Sequence, residues 1–481
     1  MMQEGVFMGK DKVSPKIVLK SGLWYTISNF AFRAVAFITT PIFARILTKA
    51  EYGEFNNISS WITILLILAS CDLYTSIIRA KLDYEDDLNR YAFSMLTLES
   101  IITVGMFIVF MIFRTSISNL MGIEEKYFYI IFIYILFVQG YYVFITNERA
   151  HYKYKAFSII TGIGIIASSA LSVILVLTLH NKLDARVYGQ YIPYVFIGAV
   201  LYVLIARKGK KICFEYYKYG LLLSLPLVPH LLSMTLLGSS DRIMITKLLG
   251  AEYTALYSIA HIVASIVAIL IDSMNKAWAP WFLDSMKENE QKSIAKVSTI
   301  YFGVFLALIL GIILLAPEVV LTLGGKRYIE GVSVLPPLII GCVFQFAYTM
   351  YVQVEFYEKK MRMVAIGTTI AAVLNIILNF IFIPIWGYCA AGYTTLAGYA
   401  VLFLLHYIVI SRLGYRHIFN RKVIFGGLGL SLASIPLALV LYQASIVRYS
   451  VIVLYIAIML FVIFRYRKLI HNFISSKKGD S

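Results

Sequence analysis

The chain has 481 residues, of which 60% are hydrophobic and only 14% charged, with a formal net charge of +17. Water-soluble domains carry roughly a quarter charged residues, so a soluble fold is excluded and an all-α polytopic membrane protein is expected. The basic residues sit in short segments between apolar runs, where they orient spans; a nucleic-acid-binding domain is excluded.

Residues 1–16 read as a cytoplasmic N-terminal tail, with no short apolar core and cleavage site of a signal peptide. Apolar runs bounded by charge or by Gly and Pro then predict about 14 transmembrane helices. Six are expected at 21–46, 55–78, 91–113, 127–146, 157–179 and 188–206, forming an N-terminal half over 17–206. A basic linker at 207–216 leads to a second half over 217–410, with spans at 217–237, 254–279, 297–315, 334–354, 364–383 and 388–410. Two additional helices within 411–464, at 423–442 and 449–464, precede a basic tail at 465–481. Lys and Arg concentrate in both tails and in alternate connections, including Arg207, Lys208, Lys210 and Lys211. This asymmetry places both termini in the cytoplasm of a cell-membrane protein. The cysteines Cys71, Cys213, Cys342 and Cys389 have neither disulfide nor metal-site spacing, and no metal or cofactor is expected.

The stretch TKAEYGEFNNI at 48–58 returns as GAEYTALYSI at 250–259, each expected to link the first two spans of its half. Gln139, Tyr142 and Lys153 recur as Gln345, Tyr348 and Lys359 around spans 4 and 10. Six spans is an even number, so the copies are expected to be parallel repeats related by an axis along the membrane normal.

With this pattern, the chain resembles the multidrug/oligosaccharidyl-lipid/polysaccharide exporter superfamily. ITTPIFARILTKAEYGEFN at 38–56 resembles the opening of its polysaccharide branch, and IPIWGYCAAGYTTLAGY at 383–399 its Pro-then-Gly-rich turn into span 12. The resemblance implies two six-helix repeats forming a V-shaped bundle plus two C-terminal helices, and flippase activity on lipid-linked oligosaccharides.

Polar residues inside spans mark where a substrate is expected to lie. In span 1, Asn29 and Arg33 share a stripe; Arg33 suits two oxygens of a phosphate or pyrophosphate, or else pairs with a neighbouring helix. Span 7 presents His230 and Asp241, with Arg242 near its outer end and Pro226 and Pro229 favouring a bend. In span 8, His261, Asp272 and Lys276 share a face, where the last two line a cavity or neutralise each other. Gln139, Tyr142, Gln345 and Tyr348 suit a sugar and equally suit contacts between helices. Glu99, Asp272 and Asp72 are candidates for ion coupling.

The expected function is translocation of a polyprenyl-pyrophosphate-linked oligosaccharide from the cytoplasmic to the outer leaflet, without catalysis. The expected partners are that substrate, membrane lipids, and a surface-glycan polymerase with glycosyltransferases. Alternatives are a cation- or proton-coupled drug exporter of the same superfamily, and a membrane-embedded glycan polymerase or acyltransferase.

Overall fold

In a computed structural model, the structure describes residue 35, residues 37–151 and residues 153–475. It is all helical, and among the described residues there is no strand. Hydrocarbon offers no water to the backbone, so a chain this apolar must satisfy its N–H and C=O groups within helices. The helices are α1 (Phe37–Ile46), α2 (Lys49–Ser70), α3 (Ser76–Asp83), α4 (Leu88–Ile112), α5 (Arg114–Met121) and α6 (Lys126–Ala150). There follow α7 (Tyr154–Thr178), α8 (Lys182–Gly209), α9 (Phe214–Ser224), α10 (Val228–Leu249), α11 (Ala251–Lys287) and α12 (Gln291–Leu314). The last are α13 (Ala316–Gly324), α14 (Leu335–Tyr357), α15 (Met361–Trp386), α16 (Cys389–Arg412), α17 (Arg421–Gln443) and α18 (Ser445–Ser475).

Eleven described helices are long and apolar enough to cross a membrane, or 13 if each of two bent pairs is one span. The expected first span, 21–46, lies largely outside the described residues. An equivalent short helix, α5 or α13, follows the third span of each expected copy.

Both AEY segments are helical, which corrects their reading as loops. Thr48 caps α2 in a reciprocal box with Glu51, and α11 begins at Ala251. A side chain at Gly53 would collide with the Ala251 carbonyl, so the two related segments touch through backbone.

The chain forms two compact units, Met1–Ser258 with Thr368–Phe380, and Ile259–Gly367 with Ile381–Ser481. In the first, α6 and α8 approach through small residues: a Cβ on Gly140 would lie 2.8 Å from the Gly198 carbonyl oxygen. Two spans here are broken. After α2 the chain turns by 58° into α3 through Cys71 and Asp72, both left-handed at φ 45° and 54°. That conformation is uncommon without glycine, and tertiary bonds secure it. Ser224 Oγ donates to the Asp72 carbonyl at 3.1 Å, and the Glu99 carboxylate accepts the Tyr74 N–H at 3.1 Å. The second break, 54° between α9 and α10, falls where Pro226 and Pro229 predict it.

In the second unit, aromatic side chains fill the centre. Phe305 stacks on Phe346 at 4.0 Å, and Trp278 on Tyr301 at 5.0 Å. Glu318 of α13 accepts from Arg448 and, at 2.8 Å, from Tyr449, which pins α18 to this unit.

Candidate functional site

The first unit gathers two arginines and a ring of phenols. Asn181 caps α8 by accepting the Asp184 N–H at 3.0 Å, and so puts Arg186 in the second helical turn. Its guanidinium lies between two rings, 3.8 Å from the Phe43 centroid and 4.1 Å from that of Phe55. Both rings are close enough for cation–π contact with its charge. Nη1 donates to Ser172 Oγ and Gln190 Oε1, both at 2.8 Å. Nε is buried without a partner.

Arg242, two turns before the end of α10, donates through Nη2 to Ser239 Oγ at 3.2 Å, and its Nε is likewise buried and unpartnered. The Tyr52 and Tyr191 phenols each lie within electrostatic reach of both guanidiniums. Tyr191 also meets Ser59 at 2.9 Å. Neither arginine forms an ion pair among the described residues. The adjacent carboxylate, Asp241, is 2% exposed and accepts from the Tyr257 hydroxyl and, at 2.6 Å, from Asn379 Nδ2. Asp241 acts on Arg242 electrostatically without pairing with it. Both guanidiniums therefore stand in low dielectric with no ion-paired carboxylate among the described residues, an arrangement that suits an anion.

The other expected residues are distributed differently. Asn29 and Arg33 lie outside the described residues. Asp241 and Arg242 sit within a helix running to Leu249, whereas span 7 was expected to end at 237. His230 meets Thr368 at 2.9 Å. Gln139 is fully buried and donates to Thr103 Oγ1 at 2.8 Å, and Tyr142 stacks on Tyr74 at 5.2 Å. Glu99 is 0% exposed with Oε2 unpartnered, and Asp72 accepts from Thr75 at 2.7 Å within the helix break.

His261, Asp272, Lys276, Gln345 and Tyr348 belong to the second unit. Asp272 and Lys276 pair with each other at 2.7 Å, each side chain 56% exposed. His261 and Gln345 are half-buried, while Tyr348 packs on His406 at 4.8 Å. His406 in turn meets Glu355 at 2.5 Å, a fully buried pair.

A family model described as "Polysaccharide biosynthesis protein" matches residues 18–286, more than half of the chain. The chain belongs to the polysaccharide biosynthesis protein family. It is 23% identical over 376 residues to "Lsg locus putative protein 1" of Haemophilus influenzae, covering 75% of this chain and 90% of that one. It is 20% identical over 450 residues to an uncharacterized membrane protein of Methanocaldococcus jannaschii, covering 84% and 86%. Among solved structures it is similar to the lipid II flippase MurJ in an inward closed conformation. There the TM-score is 0.71 at 15% identity, over 93% of this chain and 99% of that one. It is also similar to an outward-facing multidrug resistance MATE transporter, with TM-score 0.59 at 16% identity over 85% and 99%. This polysaccharide biosynthesis protein therefore has the fold of the multidrug/oligosaccharidyl-lipid/polysaccharide exporter superfamily.

Arg186, absent from the sequence candidates, is the principal addition in this family member. The sixth span was expected to begin at 188, which left Arg186 in a loop. The Asn181 cap and the Arg186–Gln190 spacing of one helical turn were the readable signals.

Proposed function

We propose that this protein is a flippase that carries a polyprenyl-pyrophosphate-linked oligosaccharide from the cytoplasmic to the outer leaflet, for cell-surface polysaccharide assembly. The observation that carries this reading is the Arg186–Arg242 site, whose donors have no carboxylate partner. A pyrophosphate supplies the missing charge, and a guanidinium fork suits two of its oxygens at once. The surrounding phenols and Ser59 suit sugar hydroxyls. Movement would alternate access by rocking the half at 17–206 against that at 217–410. By charge asymmetry the termini are cytoplasmic, and the arginine site lies toward the outer face. Family membership and the fold shared with a lipid II flippase support transport of a lipid-linked glycan.

A cation- or proton-coupled drug exporter is the second reading, favoured by the fold shared with MATE transporters and by the buried Glu99. Proteoliposomes separate the two. The flippase reading expects wild type to translocate a fluorescent isoprenyl-diphosphate oligosaccharide, and Arg186→Ala/Arg242→Ala at equal insertion to lose it. Failure of wild type to move that lipid, together with export of a cationic dye, would transfer the assignment to drug export.

A further inference from the structure

A cavity lined by cations lies in the other unit. The connection between α16 and α17 and the first turns of α17 form an open cavity of about 640 Å³ lined by His417, Phe419, Asn420, Arg421, Lys422 and Phe425. This loop is anchored. Ile418 and Phe419 are each 2% exposed, Phe419 stacks on Phe282 at 6.0 Å, and the Tyr415 hydroxyl donates to Glu358 at 2.6 Å. The charged side chains therefore surround the cavity from a fixed backbone.

Asn420 caps α17, accepting the Val423 N–H at 3.4 Å. The next two residues, Arg421 and Lys422, add positive charge where the helix already presents unpaired N–H groups and the positive end of its dipole. A helix start favours negative side chains, so two cations here work against helix stability unless an anion arrives. The Arg421 guanidinium lies 5.7 Å from the Tyr407 ring centroid, with Nε buried and unpartnered. Among the described residues none of His417, Arg421 and Lys422 forms an ion pair. The carboxylate of Glu358, on the neighbouring connection, is occupied by Tyr415.

The remaining lining is aromatic. Phe425 is 36% exposed and edge-on to Tyr407 at 5.0 Å. Because α17 is itself a candidate span and its first turns line the cavity, the cavity lies at the end of a span, where the exposed His417 and Lys422 stand beside the ring of Phe425. We infer that this cavity binds the phosphate headgroup of an anionic lipid lying in the leaflet on that side. A phosphate offers several oxygens at once, which an Arg fork and a Lys ammonium share while the apolar chain stays in the bilayer. A phospholipid and an isoprenyl diphosphate carry the same headgroup chemistry. The inference goes beyond the flippase reading and does not depend on it, since binding is measured without transport.

Native mass spectrometry on the full-length protein in detergent tests it, using phosphatidylglycerol, farnesyl diphosphate and uncharged diacylglycerol. At least one phosphate lipid is expected to bind roughly tenfold or more above diacylglycerol, with Arg421→Ala/Lys422→Ala removing that advantage. The exposed Lys422→Glu, which leaves Arg421 and its ring contact in place, is expected to weaken binding further than Lys422→Ala; melting temperature checks folding. Preference for phosphatidylglycerol would assign the site to membrane phospholipid, and preference for the diphosphate to the transported lipid class. Lys287→Ala/Lys292→Ala removes the same charge from exposed positions elsewhere on this unit. Equal losses in both double variants would mean diffuse surface attraction and overturn the inference. So would equal binding of all three lipids, or binding unaffected at Arg421 and Lys422.

Discussion

Replacing Arg186 by lysine keeps the charge and removes the fork. In the wild type, Nη1 is committed to Ser172 and Gln190, and Nε is buried with no acceptor. A lysine ammonium is a single point donor that cannot hold those two contacts and also bind two phosphate oxygens side by side. Losing one hydrogen bond to a charged group costs about 1.5–3 kcal/mol. Half-saturation for the lipid-linked oligosaccharide is then expected to rise by about 10- to 150-fold. Fold stability should fall as well, because the guanidinium makes cation–π contact with Phe43 and Phe55; each such contact contributes about 0.5–2 kcal/mol. The assay is initial translocation rate in proteoliposomes against mole fraction of substrate, at matched insertion and below the variant's melting temperature. Arg186→Lys with wild-type half-saturation would refute two-oxygen recognition at this residue.

Gly53→Val should lower the melting temperature, since its side chain meets the Ala251 carbonyl; overpacking costs about 1–3 kcal/mol. Gly105→Ala, with nothing within 4 Å of the added Cβ, should not. For the buried Glu355–His406 pair, Glu355→Leu alone is expected to destabilise by about 1–3 kcal/mol through the orphaned imidazole, with most of the loss recovered in Glu355→Leu/His406→Phe. Equal melting of single and double variants would contradict that. The exposed Asp272–Lys276 pair should behave oppositely, Lys276→Ala changing stability by about 0–1 kcal/mol in the same assay. Asp241→Ala removes the acceptor from the Tyr257 hydroxyl and Asn379. A loss of about 2–4 kcal/mol is expected, with Asp241→Asn milder; a near-neutral Ala variant would place those two donors elsewhere.

Membrane class, the apolar helical runs and the superfamily resemblance were legible in the sequence because each is written locally, whereas 11 to 13 candidate spans stand among the described residues against the 14 expected. A run of apolar residues forms a helix in lipid whatever its neighbours do, and Pro226 with Pro229 marks a bend by removing backbone donors. Helix starts were also local, in Thr48, Asn181 and Asn420, yet apolar runs set the expected boundaries and moved Arg186 and Arg242 out of their helices. The Cys71–Asp72 break has no glycine or proline to announce it. It depends on Ser224 and Glu99, which arrive from other helices. Nor does sequence alone separate Arg186 from any loop arginine. Phe43, Phe55, Ser172 and Tyr191 come from four different helices, and only their convergence leaves the Arg186 Nε buried without an acceptor. Hydropathy determined which runs form helices long and apolar enough to cross a membrane, whereas tertiary structure decided which charges meet a partner, because pairing depends on distances between helices that no local pattern encodes.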